Sequence, residues 1–506
     1  MADQDDWSSK ANEAVEISIV QAGETSPKTL SSFHPLFTYP VFGEEERIFG
    51  YQGLKIHLRF AAHDAYPNVE ISYDKRFEAV GDTAATNIEE VMKEWIPPIS
   101  FTKNAYFNNR IQADVSAKHF KPPGKLIESY TSKGRQFEIW LGELTDPGVQ
   151  VVLERLQIFV SFFIEGGTPL ALDDAEWTLA RWRVFFVYEK LSQFPSPNGS
   201  SYSIVGYSTS YRFVTFVPTS KSGKAQDELS SKKTQTFTLP PSEPIPVSSF
   251  PSRARISQFL ILPPHQHHSH GSHLYAAVTK TFLASPTCLE ITVEDPSEAF
   301  DDLRDYCDYT HLLANGTLGQ ITLSTNLDPK LTAKKRGVRV PTAKILDTAL
   351  LESLRKKNKL APRQFHRLVE MHLFSQIAPH ARQAGAARLT QRARTSDKDD
   401  KAFYYWRLLV KQRVYKKNKD VLMQLDHLDR IDKVEQTVGE VIGDYERLLR
   451  RMVEKAVKGE VDEGEGGTST NGGKRDRAKR KLVIEDDEDE DDAGSSERGR
   501  KRNRED

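Results

Sequence analysis

One alternation of strand and helix signals, near the middle of the chain, restricts the fold more than any other feature. In order, its segments are the apolar strand Arg255–Leu262, the stop Pro263-Pro264, the helical stretch His273–Leu283, the strand Leu289–Val293, the acidic pair Glu294-Asp295 and a helix around Phe300–Tyr309. Strands and helices that alternate in this way form a βαβα unit. The fold class is therefore expected to be mixed α/β.

Composition and periodicity divide the 506 residues into four regions. Residues 1–145, with alternating strands, are expected to form a β-rich mixed domain. Residues 146–325 are expected to form an α/β core, interrupted by a disordered Ser/Lys/Thr/Pro-rich insertion at 218–252. Residues 326–460 have helical patterns, and residues 461–506 are expected to be a disordered charged tail because they contain no aromatic residue.

Local signals predict several helix boundaries. A short helix is expected to begin near Asn87, and a longer one at Asp146-Pro147, ending at Gly166-Gly167. Glu165 opposes the dipole at that helix end, so it is either a functional carboxylate or simply a solvated one.

In the C-terminal region an apolar seam of period 3.5 favours internal helix packing over an external partner. Its members are Val438, Val441, Tyr445, Leu448 and Met452.

Charge is distributed unevenly although the net charge is only -1. Residues 1–310 hold 28 basic and 39 acidic side chains, whereas residues 311–460 hold 31 basic and 17 acidic ones. The acidic part favours a cationic partner and the basic part an anionic one. The alternative, that these charges merely solvate the surface, stays open at this point.

Several features bear on the cellular compartment. The two cysteines, Cys288 and Cys307, cannot form a disulfide framework and favour a reducing compartment. The acidic N-terminus does not resemble a signal peptide, and the apolar run Leu156–Ile164 is too short to cross a membrane. Basic clusters at Lys474–Lys481 and Arg500–Arg502 are typical of a nuclear-import signal, or of a solvated polyampholyte. We therefore expect a soluble protein of the cytoplasm and nucleus, with no membrane partner.

The loop Gln266–Gly271 and the following Ser272 form one candidate binding site. A loop between a buried strand and a helix presents unpaired N–H groups at the positive end of the helix dipole, where pyrophosphates bind. The histidines at 265, 267, 268, 270 and 273 raise the alternative of a metal site. Because no cysteine or carboxylate within the cluster completes a ligand shell, no metal cofactor is expected.

The acidic pair at the end of the second strand is a candidate for acid–base chemistry. Glu294 could act as a general base. Asp295-Pro296 suits the start of the following helix, so we expect Asp295 to be a helix cap.

A set of short motifs resembles one enzyme family. The motifs are Phe49–Ile56, Glu154–Gln157, Phe163–Glu165, Val205–Tyr207, Ser257–Leu262, Gln266–Ser272, Thr292–Ser297 and Leu303–Asp305. Together they are similar to the catalytic subunits of type B histone acetyltransferases, in the GNAT superfamily, and to fungal ones in particular. The resemblance covers roughly residues 40–310 and implies a GNAT acetyltransferase core between a β-rich N-terminal domain and a helical C-terminal region.

The resemblance implies that acetyl-CoA is the co-substrate and assigns residues to it. They are Phe259, Leu260 and Ile261 along the strand, Gln266, His267, His268, Ser269, His270, Gly271 and Ser272 around the pyrophosphate, and Ser297 further along. The superfamily loop usually runs Gln/Arg-x-x-Gly-x-Gly/Ala, so Ser269 replaces its first glycine. A Cβ at this position could crowd a phosphate.

In such enzymes the general base corresponds to Glu294, with Asp295 and Glu165 as supporting carboxylates. A base is needed because a lysine amine, with a pKa of about 10.4, is protonated at pH 7. The implied substrate is the N-terminal tail of newly made histone H4, with histone H3 alongside it. The implied groove walls are Glu44, Glu45 and Glu46 on one side and Tyr211, Arg212 and Phe213 on the other.

The resemblance also implies a WD-repeat β-propeller subunit that binds histones. Two other functions stay open: a GNAT that acts on another amine, and a histone-binding, chaperone-like module without catalysis. Direct DNA binding by the basic helices is not expected.

Overall fold

The computed structural model describes residues 7–192, 199–215, 246–325, 344–382 and 397–462. Most of the predicted insertion at 218–252, and nearly all of the predicted tail at 461–506, lie outside these residues. The chain divides into the compact units Met1–Met452 and Val453–Asp506, and the description below concerns the first. No helix in the described ranges combines the length and apolar character needed to cross a membrane.

Strands and helices alternate irregularly along the described chain. The strands, β1 to β14 in chain order, are Ser8–Lys10, Val15–Gln21, Lys28–Phe33, Arg47–Phe49, Tyr51–Gln52, Lys55–Ala61, Pro67–Ser72, Lys75–Arg76, Lys125–Ser132, Arg135–Glu143, Trp182–Lys190, Tyr202–Val214, Ser252–Ile261 and Cys288–Val293. The helices, α1 to α15, are Ala11–Ala14, Tyr39–Phe42, Ile88–Lys93, Asn104–Ala113, Pro147–Leu156, Ile158–Phe163, Glu176–Leu179, His270–Ala284, Glu298–Ala314, Thr348–Lys357, Pro362–Ser375, Pro379–Arg382, Lys398–Lys417, Lys419–Met423 and His427–Asp462. The mixed α/β class predicted from the sequence is confirmed.

A six-stranded sheet in the order β14-β13-β12-β11-β10-β9 forms the centre of the molecule. All its neighbours are antiparallel except β13 and β14, which are parallel and joined by α8, as the βαβα pattern predicts. Successive side chains of a strand face opposite sides of a sheet, so each strand contributes to two cores. On β11, Phe185 and Val187 pack in the cluster that contains α8, whereas Phe186 and Tyr188 pack in the cluster that contains α6.

A four-stranded sheet in the order β3-β2-β6-β7 packs into the α6 cluster. The central sheet begins at Lys125, because β9 and β10 pair with each other and β10 pairs with β11. The predicted domain boundary at residue 145 therefore falls just after strands that belong to the central sheet. Alternating sequence alone cannot indicate which of two sheets a strand joins, because both have the same period.

Helix starts follow the capping signals with one exception. Asn87 caps α3 by accepting from the Glu90 N–H, and Asp146 caps α5 by accepting from the Gly148 N–H. The expected cap at Asp295 is wrong: α9 begins at Glu298, and the Ser297 hydroxyl accepts from the Phe300 N–H instead. Asp295 has a φ of +33°, so its backbone lacks the extended conformation that an N-cap residue such as Asp146 adopts.

The C-terminal helices α10 to α13 and α15 surround a third core, which also includes Tyr309 and Leu312 of α9. Val438, Tyr445 and Leu448 of the apolar seam are fully buried there, with Val441 and Met452 packed against them. The prediction that the seam serves internal packing is therefore confirmed.

Candidate functional site

A gap opens where the two parallel strands of the central sheet diverge. Their pairing ends at Ile256 and Val293, and the Glu294 N–H donates to the Ile256 carbonyl at 2.8 Å. From there the chain turns away into α9, while β13 continues to Ile261 paired only with β12 among the described strands. The backbone of Ser257–Ile261 therefore has one open edge, which can pair with an extended, amide-bearing ligand.

The three residues assigned to the cofactor strand differ in where their side chains lie. Leu260 and Ile261 are buried in opposite cores, so only their backbone is available at the open edge. The Phe259 ring lies 4.9 Å from the Phe300 ring of α9, measured between centroids. A Cβ on Gly271 would lie 3.3 Å from the Leu303 side chain, so the absence of a side chain lets α8 approach α9 closely.

The loop before α8 turns two of its polar side chains inward, those of Gln266 and His270. The Gln266 amide donates to the Ile261 carbonyl at 2.8 Å, and the His268 carbonyl accepts from the Ser132 hydroxyl at 3.1 Å. His270 is buried, with its Nδ1 2.9 Å from the Tyr130 hydroxyl, although it is one of the predicted cofactor contacts. What the loop offers a ligand is therefore mainly its backbone.

Electrostatics at the loop also favour a backbone-based anion site. Burial, together with the neighbouring Arg135 and other histidines, lowers the pKa of His265 and of His270 to about 4. Both rings are therefore neutral at pH 7 and add no positive charge. The Ser269 side chain makes no capping hydrogen bond to α8, so the first N–H groups of this 15-residue helix remain available.

Ser269 has a φ of +65°, in the left-handed region where glycine is favoured. Replacing it should relieve backbone strain, so Ser269→Gly is expected to raise the free energy of unfolding by up to about 1 kcal/mol. Chemical denaturation measures this change. The matched control is Ser272→Gly inside α8, where glycine is expected to lower it by up to about 1 kcal/mol. A destabilised Ser269→Gly variant would contradict the expectation.

Glu294 lies at the start of the gap and is held by two hydroxyl groups. The Tyr211 hydroxyl donates to its Oε1 at 3.2 Å, and the Ser257 hydroxyl donates to its Oε2 at 2.6 Å. A carboxylate that accepts two such bonds is fixed in orientation and keeps further lone pairs for a proton or a water. The arrangement can therefore hold a general base beside the open edge of β13.

Of the groups around this carboxylate, only Tyr211 was predicted as a site residue, as part of a groove wall; Trp182, Arg255 and Ser257 were not. Trp182 packs on the Tyr211 ring with centroids 4.6 Å apart, and Arg255 approaches the Tyr211 hydroxyl at 3.5 Å. The parallel pairing of β13 with β14 could have indicated Ser257. Ile256 and Val293 are the last paired residues, and Ser257 and Glu294 directly follow them on the two strands.

The two supporting carboxylates lie on turns. Asp295 is exposed, with a φ of +33°, directly after Glu294. Glu165 is exposed in the turn after α6, where the next residue, Gly166, donates its N–H to the Tyr39 hydroxyl at 3.2 Å. The Gln258 amide donates to the Thr168 carbonyl at 3.0 Å, which ties the segment after this turn to β13 beside Ser257.

The predicted groove walls are only partly available to a substrate. Tyr211 and Phe213 share one face of β12, but Arg212 is 4% exposed on the other face. It donates to Ser252, Ser285 and Thr287, so its assignment as a groove residue is wrong. Alternation along the strand is the reason, since neighbours cannot face the same groove.

On the other wall the three glutamates also differ. Glu44 and Glu45 are exposed. Glu46 uses its carboxylate inside the protein, accepting from the N–H groups of Thr38 and Tyr39 and from the Asn12 amide. It therefore fixes the start of α2 instead of presenting a free charge.

The loop histidines do not bring their ring nitrogens together as metal ligands. In the part of the chain that the structure describes, the one group with ligand atoms close enough is His380, Asp397 and Asp399, in the C-terminal helices. This group includes no member of the loop, so the site beside β13 offers backbone amides and carboxylates.

Comparisons with known proteins agree with this architecture. A family model described as Histone acetyl transferase HAT1 N-terminus matches residues 7–165, and one described as Fungal HAT1, C-terminal matches residues 330–377. The histone acetyltransferase type B catalytic subunit of Aspergillus oryzae is 44% identical, over 96% of this chain and 97% of the relative. Those of Aspergillus fumigatus and Neurospora crassa are 45% and 36% identical, over 95% and 91% of this chain and 85% and 91% of the relatives. The similarity thus extends over nearly the whole chain.

Proposed function

The chain belongs to the family of histone acetyltransferase type B catalytic subunits, and from this premise we propose that it acetylates lysines of the histone H4 tail with acetyl-CoA, using Glu294 as general base. The observation that carries the proposal is the placement of a doubly hydrogen-bonded carboxylate at the start of the open strand edge. Relatives named as catalytic subunits favour this reading over a binding module without catalysis.

Acetyl-CoA supplies an activated acetyl thioester. The residues that would hold the molecule fit its chemistry: the open backbone edge of Phe259–Ile261 suits the amides of the pantetheine arm. The uncapped first turn of α8 suits the pyrophosphate. Ser297 would contribute through its backbone, because its hydroxyl is already used to cap α9.

Glu294 would accept a proton from the lysine ammonium, directly or through one water, because the protonated amine is not nucleophilic. Tyr211 and Ser257 orient the carboxylate for this step. The neutral amine would then attack the acetyl carbonyl, and a backbone N–H at the open edge of β13 would stabilise the developing oxyanion. Collapse of this adduct would break the thioester C–S bond and release the CoA thiolate, which takes up a proton. Asp295 and Glu165 would attract the cationic tail.

The experiment that tests the function is an acetyl-transfer assay with the purified full chain. An H4 tail peptide, an unrelated lysine-containing peptide and a small polyamine are compared as acceptors. The proposal expects kcat/KM to be highest for the H4 peptide by at least about ten-fold. A preference for the polyamine would favour a GNAT that acts on another amine, and peptide binding without turnover would favour the chaperone-like alternative.

A second prediction concerns the acidic wall. The double substitution Glu44→Gln with Glu45→Gln is expected to raise KM for the H4 peptide about three-fold to ten-fold at low salt, and less at high salt, because exposed charges are screened. The matched control is Glu89→Gln with Glu90→Gln, which removes two exposed charges from α3, where both pair with Lys93. An equal KM change in both double variants would show that the effect is one of net charge only.

We further propose that the enzyme works with a WD-repeat histone-binding subunit and binds histone H4 together with H3. The support is the sequence resemblance. Action in both cytoplasm and nucleus is proposed from the two basic clusters in the region after residue 461. Fractionation of cells expressing the chain with and without Lys474–Lys481 tests the nuclear share.

A further inference from the structure

The C-terminal helices contact three elements of the βαβα unit, namely α8, β14 and α9. Lys359, at the turn between α10 and α11, donates its ammonium group to the Leu283 and Ser285 carbonyls at the end of α8, at 2.8 and 2.6 Å. Arg355 of α10 pairs with Glu290 of β14 at 2.8 Å. Arg447 of α15 pairs with Asp302 of α9 through two bonds. Helices α10 and α15, and the turn between α10 and α11, are therefore attached to the same α8, β14 and α9 that border the gap.

A further attachment is a buried polar network on α9. The Gln364 amide of α11 donates to Asp305 at 3.1 Å and to Asp308 at 3.0 Å, and it is 5% exposed. Arg367, one turn further, donates to Asp305 at 2.6 Å. The Tyr275 hydroxyl of α8 donates to Asp308 at 2.9 Å. One glutamine thus joins the carboxylates that hold α8, α9 and α11 together.

This network connects with the open strand edge through aromatic contacts. The Tyr275 ring lies 6.0 Å from the Phe300 ring, and Phe300 packs on Phe259 of β13 at 4.9 Å. A shift of α9 relative to α8 would therefore move Phe300 against the strand edge and change the width of the gap. The hydrogen bonds of Asp305 and Asp308 oppose such a shift, because breaking them would leave buried carboxylates without partners.

We propose that Gln364 is a positioning residue, through which the C-terminal helices set the separation of α8 and α9 and so the affinity for acetyl-CoA. The inference rests on the proposed function, because it assumes that acetyl-CoA occupies the gap. It assigns to the C-terminal region a role in cofactor affinity in addition to its own hydrophobic core.

The test uses the full chain and two substitutions that approach the network from opposite sides. Gln364→Leu keeps the side-chain volume but removes both donors, and Tyr275→Phe removes only the hydroxyl on α8. Each is expected to raise the acetyl-CoA Kd in titration calorimetry about ten-fold, and KM with it, while kcat at saturating acetyl-CoA stays within about two-fold.

The matched control is Tyr445→Phe. It removes a buried hydroxyl that bonds Glu370 inside the C-terminal core, at 3.0 Å, and does not contact α9 through that bond. Its melting temperature is expected to fall while its Kd stays within about two-fold of wild type. Equal Kd changes in Tyr445→Phe and Gln364→Leu would overturn the proposal, as would an unchanged Kd in a folded Gln364→Leu.

Two further outcomes are decisive. If Gln364→Leu does not fold, Tyr275→Phe decides alone, and an unchanged Kd in that variant overturns the positioning role. If the wild-type chain does not bind acetyl-CoA, the proposed co-substrate is wrong and the inference fails with it. If the wild type binds acetyl-CoA and both variants bind it with the same Kd, only the positioning role of Gln364 is overturned.

Discussion

Glu294→Gln is expected to lower kcat for acetyl transfer to the H4 peptide by at least about 100-fold, because a positioned general base contributes roughly 10²- to 10⁴-fold. The acetyl-CoA Kd should change by less than about two-fold, since the side chain keeps its size and lies beside the strand edge. Acetyl transfer and titration calorimetry on the same preparation measure both quantities.

The pH dependence separates loss of a base from loss of structure. Without a base, only lysine that has already lost its proton can react, so turnover of Glu294→Gln should rise about ten-fold per pH unit up to the lysine pKa of about 10.4. The controls are Asp295→Asn and Glu165→Gln, both exposed, for which we expect less than about ten-fold loss. Wild-type turnover in Glu294→Gln would place the base at one of those two carboxylates.

Asp64→Asn is expected to lower the free energy of unfolding by about 3 kcal/mol, because it removes the carboxylate that two partly buried guanidinium groups share. Asp64, in the turn between β6 and β7, accepts from Arg155 of α5 at 2.8 Å and from Arg110 of α4 at 2.9 Å. Both guanidinium groups also lie over the Tyr66 ring. The carboxylate therefore fastens the N-terminal sheet to the helix that leads toward Glu165.

Acid titration gives an independent check on the ion pairs of Asp64. Burial alone would raise the pKa of Asp64, but His63, Arg155 and Arg110 outweigh it and hold the pKa below the ordinary 3.8. Burial lowers the pKa of His63, so that ring is neutral at pH 7. At that pH the charges of Arg155 and Arg110 are therefore the ones that stabilise the Asp64 carboxylate. Because the pKa of Asp64 is lower in the folded than in the unfolded protein, its ionised carboxylate contributes fully to the free energy of unfolding at pH 7. This contribution is lost as the pH falls below about 3.8.

The matched control for Asp64→Asn is Asp114→Asn. Among the described residues Asp114 has one ion-pair partner, Arg110 at 3.2 Å; it also accepts from the N–H and hydroxyl of Ser116, and its side chain is 21% exposed. Its loss is expected to cost no more than about 1 kcal/mol. Urea denaturation at pH 7 and at pH 3 measures both variants; equal costs at pH 7 would show that the double pairing of Asp64 adds nothing.

Sequence patterns located the elements around the candidate site because those patterns arise from local physics. The strand before Pro263-Pro264, the cap at Asp146 and the strand that ends at Val293 each follow from side-chain period or capping chemistry within a few residues. The same kind of local signal predicted a cap at Asp295, but the backbone there has a φ of +33° and the helix begins one turn later, with Ser297 as its cap.

The side-chain assignments depended more strongly on tertiary contacts. Arg212 and Tyr211 are neighbours in sequence, but the sheet turns one toward Ser252 and the other toward Glu294. Glu46 resembles Glu44 and Glu45 in a run of three, yet two backbone amides occupy it. Neither outcome could be predicted from residue type, because each depends on which face meets which distant segment.

The amino-acid sequence alone is sufficient to predict a mixed α/β protein with a βαβα unit, and its motifs pointed to the family that the comparisons then showed. Local propensity and pattern suffice for that, since they act over a few residues. The contacts of Tyr211 and Ser257 with Glu294, and the contact of Gln364 with Asp305 across more than fifty residues of sequence, are visible only in the folded protein. Such contacts depend on how sheets and helices pack, and that packing is settled by the burial of whole faces at once.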